Sequence, residues 1–202
     1  MKRSPWLLIG VVSLSSCALF SKGEVATRRY YSPDLPVVAA SSIDRKPGLQ
    51  LRLGRVTANR TISERIVYRD SEHEVTIYDD RIWTERPEAY LTRGLNRVLF
   101  EERGLQRVVG GPGQTLEVEL LRFEEIRVPA HAARVRLSFS LSDERLVSLQ
   151  KTVDVELPIA QSTVEMQGTM LAEAMGQALR EAVTGLSNQV IAQLESGTQA
   201  KP

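Results

Sequence analysis

The sequence predicts an α/β (α+β) domain: an antiparallel or mixed β-sheet with two amphipathic helices packed on one face. Three observations lead there. Apolar and polar residues alternate at period two in Leu49–Val56 and in three long runs between Thr115 and Leu157, as in half-buried strands. From Pro87 the spacing shifts to three and four residues, with Leu91, Leu95, Val98 and Leu99 on one helical face. A continuous i, i+4 stripe then runs from Met166 through Met170, Leu171, Met175, Leu179, Leu186 and Val190 to Leu194. The order strands, helix, strands, helix is not the strict β-α alternation of a doubly wound enzyme.

The elements follow in order. Arg28-Arg29-Tyr30-Tyr31 reads as a short strand ended by Ser32-Pro33-Asp34-Leu35-Pro36, because two prolines in four residues stop any regular element. Pro47-Gly48 supplies a turn into the strand Leu49–Val56. Arg65–Arg69 and His73–Tyr78 form the next two strands, with Asp70-Ser71-Glu72 as the hairpin loop between them. Thr84 is the expected N-cap of the first helix, Pro87 fits its first turn, and Gly104 is a natural stop. Leu105–Val109 reads as a short strand and Gly110-Gly111-Pro112-Gly113 as a loop. Thr115–Arg127, Ala133–Leu141 and Leu146–Leu157 are joined by short loops and should pair as an antiparallel meander. Ser162 and Glu165 make a capping box for the last helix. The domain spans 28–196, and 197–202 are expected to be a flexible tail.

The first residues have a different character. Lys2 and Arg3 form a cationic start, Trp6 to Leu14 are mostly apolar, and Leu14-Ser15-Ser16-Cys17 fits a lipobox. A signal peptidase requires small residues beside the bond it cuts. A cysteine at the cut supplies the sulfur that carries a diacylglyceryl group. Residues 1–16 are thus read as a lipoprotein signal peptide, Cys17 as the lipidation site, and 17–27 as the lipidated N-terminus and a short tether. The alternatives are an ordinary export signal with a chance cysteine, or a membrane anchor. The apolar run is about half of the ~20 residues that a spanning helix requires. Ala18 is not the aspartate that retains lipoproteins in the inner membrane, which favours the periplasmic face of the outer membrane.

Bulk properties narrow the function. Cys17 is the single cysteine, so no internal disulfide forms and the core alone must hold the fold. Without Lys2 and Arg3, 24 of the 26 basic residues remain against 25 acidic ones, so the mature body is near neutral and nothing in its composition suggests nucleic acid, which would need a basic face.

A search for chemistry finds no catalytic constellation. His73, read as lying within a strand, and His131, beside a turn at Pro129, have no third imidazole or thiolate for a zinc site. Glu72 and Glu74 flank His73, but neighbouring strand residues point to opposite faces. The glycine-rich loop lacks the Lys-Ser/Thr pair of a phosphate loop. Glu124-Glu125 on a strand and Glu101-Glu102 on a helix diverge too far to act as a carboxylate couple. Tyr30, Tyr31, Tyr68, Tyr78 and Trp83 form either a ligand patch or core and rim residues. Met166, Met170 and Met175 line either a lipid groove or the helix-on-sheet core. No cofactor or metal is implied beyond the covalent lipid on Cys17.

Several stretches together resemble the ABC-type transport auxiliary lipoprotein family, which includes the lipoprotein of the paraquat-inducible intermembrane transport system. They are Tyr30-Tyr31-Ser32 shortly after the lipobox, Ile66-Val67-Tyr68-Arg69 before an alternating strand, Tyr78-Asp79-Asp80-Arg81-Ile82-Trp83, and the amphipathic C-terminal helix. Members carry a Trp-Ala-Glu-Pro-Leu-like stretch, and here Trp83-Thr84-Glu85-Arg86-Pro87 has one extra residue before the proline. The resemblance implies a fold similar to the N-terminal domain of the TolB translocation protein. It also implies a non-enzymatic partner of an ABC permease and ATPase and their MCE-domain protein, docking that assembly to the outer membrane for transport of lipids or other apolar molecules. A homo-oligomer is conceivable by analogy with ring-forming MCE proteins. A general envelope assembly or structural lipoprotein is the alternative, and an envelope hydrolase is the least supported reading.

Overall fold

The computed structural model describes residues 27–33, 46, 48–160, 163 and 166–199. Cys17, the tether before Thr27, Asp34-Leu35-Pro36, Pro47, the Ser162 and Glu165 capping pair and residues 200–202 lie outside the described residues.

The sheet is mixed and has eight strands, built around β6 (Thr115–Ile126). One edge of β6 pairs antiparallel with β7 (Ala132–Ser142), and β7 pairs antiparallel with β8 (Val147–Pro158). This is the expected meander. The other edge of β6 is shared by two strands. β2 (Gln50–Ala58) runs parallel to its first half and β3 (Arg65–Arg69) parallel to its last three residues. β3 continues antiparallel to β4 (Thr76–Trp83), which pairs in parallel with the edge strand β1 (Arg29–Tyr31). β5 is only Gln106–Arg107, shorter than the five residues its apolar content suggests, and lies parallel to β2.

The fork arises because residues 59–64 leave the ladder and return to it. The Asn59 N–H donates to the Leu120 carbonyl at 2.9 Å. The Asn59 Oδ1 accepts from the Thr61 N–H at 3.2 Å, which closes a tight side-chain turn. Ile62, 5% exposed, anchors the excursion in the core. Opposite the fork, β6 carries a bulge at Leu121, since Leu120 pairs with Leu137 but Arg122 pairs with Arg136. The extra residue resets the alternation. Leu116, Val118 and Leu120 face the core before it and Phe123 after it, all at most 3% exposed. Gly54 in β2 is required by close approach: a Cβ there would lie 2.8 Å from the Thr115 Cγ2.

The third strand differs from expectation. It begins at Thr76 and runs to Trp83, so His73 sits in the 70–75 connection and not in a strand. Val67 pairs with Ile77 and Arg65 with Ile82, so β4 spends five residues where β3 spends two. Tyr78-Asp79-Asp80-Arg81 therefore swings off the regular ladder. The two adjacent aspartates had masked this stretch as strand.

Both helices cover one face. α1 spans Pro87–Leu95 and continues into a π-helical stretch, Asn96–Glu102. Here the structure corrects the capping reading: Arg86 is the N-cap and gives no side-chain bond. Thr84 instead pairs its hydroxyl with the Tyr90 hydroxyl at 2.7 Å, and that hydroxyl accepts the Glu85 N–H at 2.9 Å. The wider turns end where the Arg103 N–H reaches the Val98 carbonyl and Gly104 adopts φ 67°, a left-handed stop that favours glycine.

α2 runs Gln167–Gln199, so its last turn covers 197–199, where a tail was expected. Its buried stripe, including Leu171, Met175, Leu179, Val183, Leu186 and Val190, meets Val135, Leu137, Phe139 and Leu141 of β7 in one continuous core. Each such side chain contributes roughly 1.5–3 kcal/mol on burial. Ala178 and Ala182, both fully buried, let the helix lie close to the sheet. Gly168 does the same at the start of the helix, where any Cβ would overlap the Tyr31 ring. Arg180 grips Glu102 through two bonds of 2.7 and 2.6 Å, tying α2 to the π-helical stretch.

Among the described residues, the opposite face of the sheet carries no helix. Its lower half is polar, with Thr57, Glu117, Glu119, Ser138, Ser140 and Gln150 around a shallow depression. The register places the C-terminal ends of β3, β6 and β8 at one end of the sheet, together with the starts of β4 and β7, while β1 lies beside the last three residues of β4.

Candidate functional site

That end of the sheet holds the densest polar and aromatic cluster on the helix-covered side. Tyr68 and Tyr78 meet with ring centroids 4.6 Å apart. The Arg127 guanidinium lies 3.6 Å over the Tyr68 ring, and Arg81 lies 4.2 Å over the Tyr78 ring. Such cation–π contacts hold a guanidinium against an apolar surface without full loss of charge stabilisation. The β4 excursion is what re-aims Tyr78 and Arg81 into this contact.

The cluster is built around a buried carboxylate. Glu125, 4% exposed, accepts the Tyr78 hydroxyl at 2.7 Å on one oxygen and contacts the His131 Nε2 at 2.6 Å with the other. Arg127 donates to the Tyr78 hydroxyl oxygen at 2.5 Å and approaches Asp70 at 3.6 Å. Burial pushes the Tyr78 phenol up to about 12, helped by its bond to Glu125. Tyr78 therefore holds its proton at neutral pH and acts as a donor, not a base. Tyr78 and His131 both bond to Glu125. The Arg81 Nη1 is buried with no hydrogen-bond partner, while its Nη2 reaches the Gln167 Oε1 at 3.4 Å.

The other sequence candidates disperse. Glu124 and Glu125 point to opposite faces, and Glu124 is clasped by Arg69 at 3.1 and 3.2 Å. Glu102 is committed to Arg180, while Glu101 is exposed. His73 is exposed, and no contact joins it to His131, whose Nε2 is taken by Glu125. Of the aromatic set, Trp83 is core, 1% exposed, and meets the Phe123 ring edge-on at 5.4 Å. Tyr31 packs on α2 at Gly168, and Tyr30 is 62% exposed. Met175 is fully buried in the core, Met170 packs partly buried against it and Met166 is exposed, so the three do not line one groove. Among the described residues, no three His, Cys, Asp or Glu side chains are placed to hold a metal ion, and no helix is long and apolar enough to cross a membrane.

Sequence reasoning missed Arg81, Arg127 and the pairing of His131 with Glu125. Arg127 stands just past the end of β6, where the alternation stops carrying information. Its partners lie 49 and 59 positions earlier, at Tyr78 and Tyr68.

Comparison with known proteins places this geometry in context. A family model described as "ABC-type transport auxiliary lipoprotein component" matches residues 31–191. A Xanthomonas campestris protein of the DUF330 family has a similar structure, with TM-score 0.72, 21% identity, and coverage of 85% of this chain and 100% of that one. A structure titled only as an uncharacterized protein has TM-score 0.60 and 16% identity, covering 81% of this chain and 99% of its own. A hypothetical protein from Chlamydia trachomatis has TM-score 0.52 and 9% identity, covering 72% and 97%. At these identities the likeness is one of fold. No curated protein matches the sequence.

Proposed function

This chain belongs to the ABC-type transport auxiliary lipoprotein component family, and from that premise we propose that it is a non-enzymatic adaptor, anchored through a lipid on Cys17 to the periplasmic face of the outer membrane, that docks the MCE-domain protein of an ABC permease and ATPase. The observation that carries the reading is the extent of the family match, which runs from the last residue of β1 almost to the end of α2.

The fold suits an anchored adaptor. β1 enters the sheet beside Arg81, whose guanidinium lies over the Tyr78 ring at the end that carries the Tyr68–Tyr78–Arg127 cluster. Twelve residue steps separate Cys17 from Arg29, a reach of at most about 40 Å. In this reading the domain works close to the membrane, with that end toward it. The transported molecule is an apolar one such as a lipid, and the domain serves the complex that carries it.

Affinity capture of the lipidated chain from a mild detergent extract, followed by mass spectrometry, tests the partner. Recovery of an MCE-domain protein supports the proposal, and recovery of only a secretion or cell-wall complex replaces it with a general envelope assembly role. Replacement Cys17→Ser, followed by membrane fractionation with the signal peptide confirmed as cleaved, tests the anchor. A processed mutant that stays in the outer-membrane fraction would sink it.

A further inference from the structure

The open face of the sheet holds a second cluster, above the Leu121 bulge. Arg122 of β6 and Arg136 of β7 are direct cross-strand partners. Side chains so paired have Cβ atoms about 4.5–5.5 Å apart, and like charges directly opposite one another destabilise a sheet. Arg69 and Arg134 stand beside them, so four guanidinium groups share a hollow of about 410 Å³.

Three carboxylates meet these four cations, and their bonding is uneven. Both oxygens of Glu124 are taken by Arg69 at 3.1 and 3.2 Å. Both oxygens of Asp154 are taken by Arg134 at 3.0 and 2.6 Å, and Glu156 approaches the same arginine at 3.3 Å. Arg122 and Arg136 receive only long contacts, 3.7 Å to Glu124 and 3.8 Å to Asp154. The Arg136 Nε is buried with no hydrogen-bond partner, which is unfavourable for a charged donor. Arg122 has one further bond, from its Nη1 to the Leu121 carbonyl at 3.2 Å. The bulge brings these two residues into direct opposition, and bulges recur where a side chain is aimed at a ligand. Ile126 and Pro129 supply an apolar wall, and Glu72 and His73 form the rim.

We propose that Arg122 and Arg136 form an anion site for a phosphate-bearing ligand on the open face of the sheet. A carboxylate in this cluster is satisfied by a single arginine, as Glu124 and Asp154 show. Two guanidinium groups from adjacent strands instead suit a tetrahedral oxyanion with several acceptor oxygens. Two sources supply that chemistry: a soluble phosphate, or a phospholipid headgroup whose first methylenes rest on Ile126 and Pro129. The site is independent of the partner proposed above.

The test uses the full lipidated chain in neutral detergent. Inorganic phosphate forms one titration arm and short-chain dihexanoyl phosphatidylglycerol, kept below its micellar concentration, the other, each followed by calorimetry and by thermal shift against sodium chloride at matched ionic strength. Saturable binding is expected in at least one arm, with a rise in Tm, and a loss of ten-fold or more in affinity in Arg122→Gln/Arg136→Gln. Binding in the lipid arm alone identifies a headgroup, and binding in the phosphate arm identifies a soluble anion or the shared group. Arg145→Gln, in the exposed 143–146 turn, should bind as the parent does. The single variant Arg136→Gln gives a second readout: it should hold or raise Tm without phosphate, because it removes a like-charge opposition, and should lose the rise with phosphate. Absence of saturable binding in both arms, or equal binding in the double variant, would overturn the site, as would a large drop in Tm for Arg136→Gln in phosphate-free buffer.

Discussion

Glu102→Ala should be among the most costly single changes outside the apolar core. The Glu102 and Arg180 side chains are 12% and 11% exposed and share two short bonds. Removing the carboxylate strands a nearly buried guanidinium, and it also removes a contact of Arg97, which approaches the same group at 3.4 Å. Breaking a buried pair from one side costs about 3–5 kcal/mol. The residual exposure and the second cation place this case near about 3 kcal/mol, or a fall in Tm of roughly 6–12 °C for a domain of this size. Urea unfolding followed by tryptophan emission is a suitable assay. The sequence has two tryptophans, Trp6 and Trp83, and the proposed cleavage before Cys17 would leave Trp83 alone. It is 1% exposed beside Phe123, so its emission reports the core. The double replacement Glu102→Leu/Arg180→Met should recover most of the loss, because two apolar groups of similar volume leave no orphaned charge. A cost below about 1 kcal/mol for Glu102→Ala, or simple additivity in the double variant, would refute the reasoning.

Other changes probe separate parts of the fold. Phe123→Ala should destabilise by about 3–5 kcal/mol by opening a cavity against Trp83, read as a lower urea midpoint and a red-shifted Trp83 emission. Gly168→Leu should cost more than about 2 kcal/mol, because its side chain would occupy the place of the Tyr31 ring; protease sensitivity of the N-terminal strand would report it. Tyr78 supplies a pH test. Its folded value of about 12 lies above the ordinary phenol value of 10.0, so its contribution is complete below about pH 10 and is lost as pH rises through about 12. For a half-buried group this amounts to about 1–2 kcal/mol after solvent screening. Tyr78→Phe should be less stable at pH 8, and the gap to the parent should narrow between pH 10 and 12.

Much of the framework is legible in the chain because its signals are local. Leu116, Val118 and Leu120 alternate over a stretch that folds on its immediate successor, and the stripe from Leu171 to Leu194 repeats within one helix. What escaped depends on distance or on broken rhythm. Nothing near Ala58 says that the chain will leave β6 and rejoin it seven residues later as β3. Leu121 looks like one more apolar residue, yet it turns Phe123 inward and sets Arg122 against Arg136. Asp79-Asp80 conceals a strand because an excursion tolerates what a ladder would not. Thr84 has the chemistry of a cap, but Tyr90 reaches its hydroxyl first. The site residues were harder still, since Glu125, His131, Tyr78 and Arg127 acquire meaning only when the start of β4 and the end of β6 come together across β3.

The placement of β1 has a mechanical consequence. Any pull from an N-terminal tether would arrive along the axis of this strand, drawing it lengthwise past β4. Its three register pairs, Arg29 with Arg81, Tyr30 with Ile82 and Tyr31 with Trp83, are then loaded side by side and must fail together instead of peeling one by one. The Thr84 N–H donates to the Tyr31 carbonyl at 2.9 Å, and the Tyr31 ring is seated against Gly168. The last residue of β1 thus acts as a catch that passes tension into the long helix. Three residues are a small strand by area, but in this orientation they make a clasp suited to a domain held from one end.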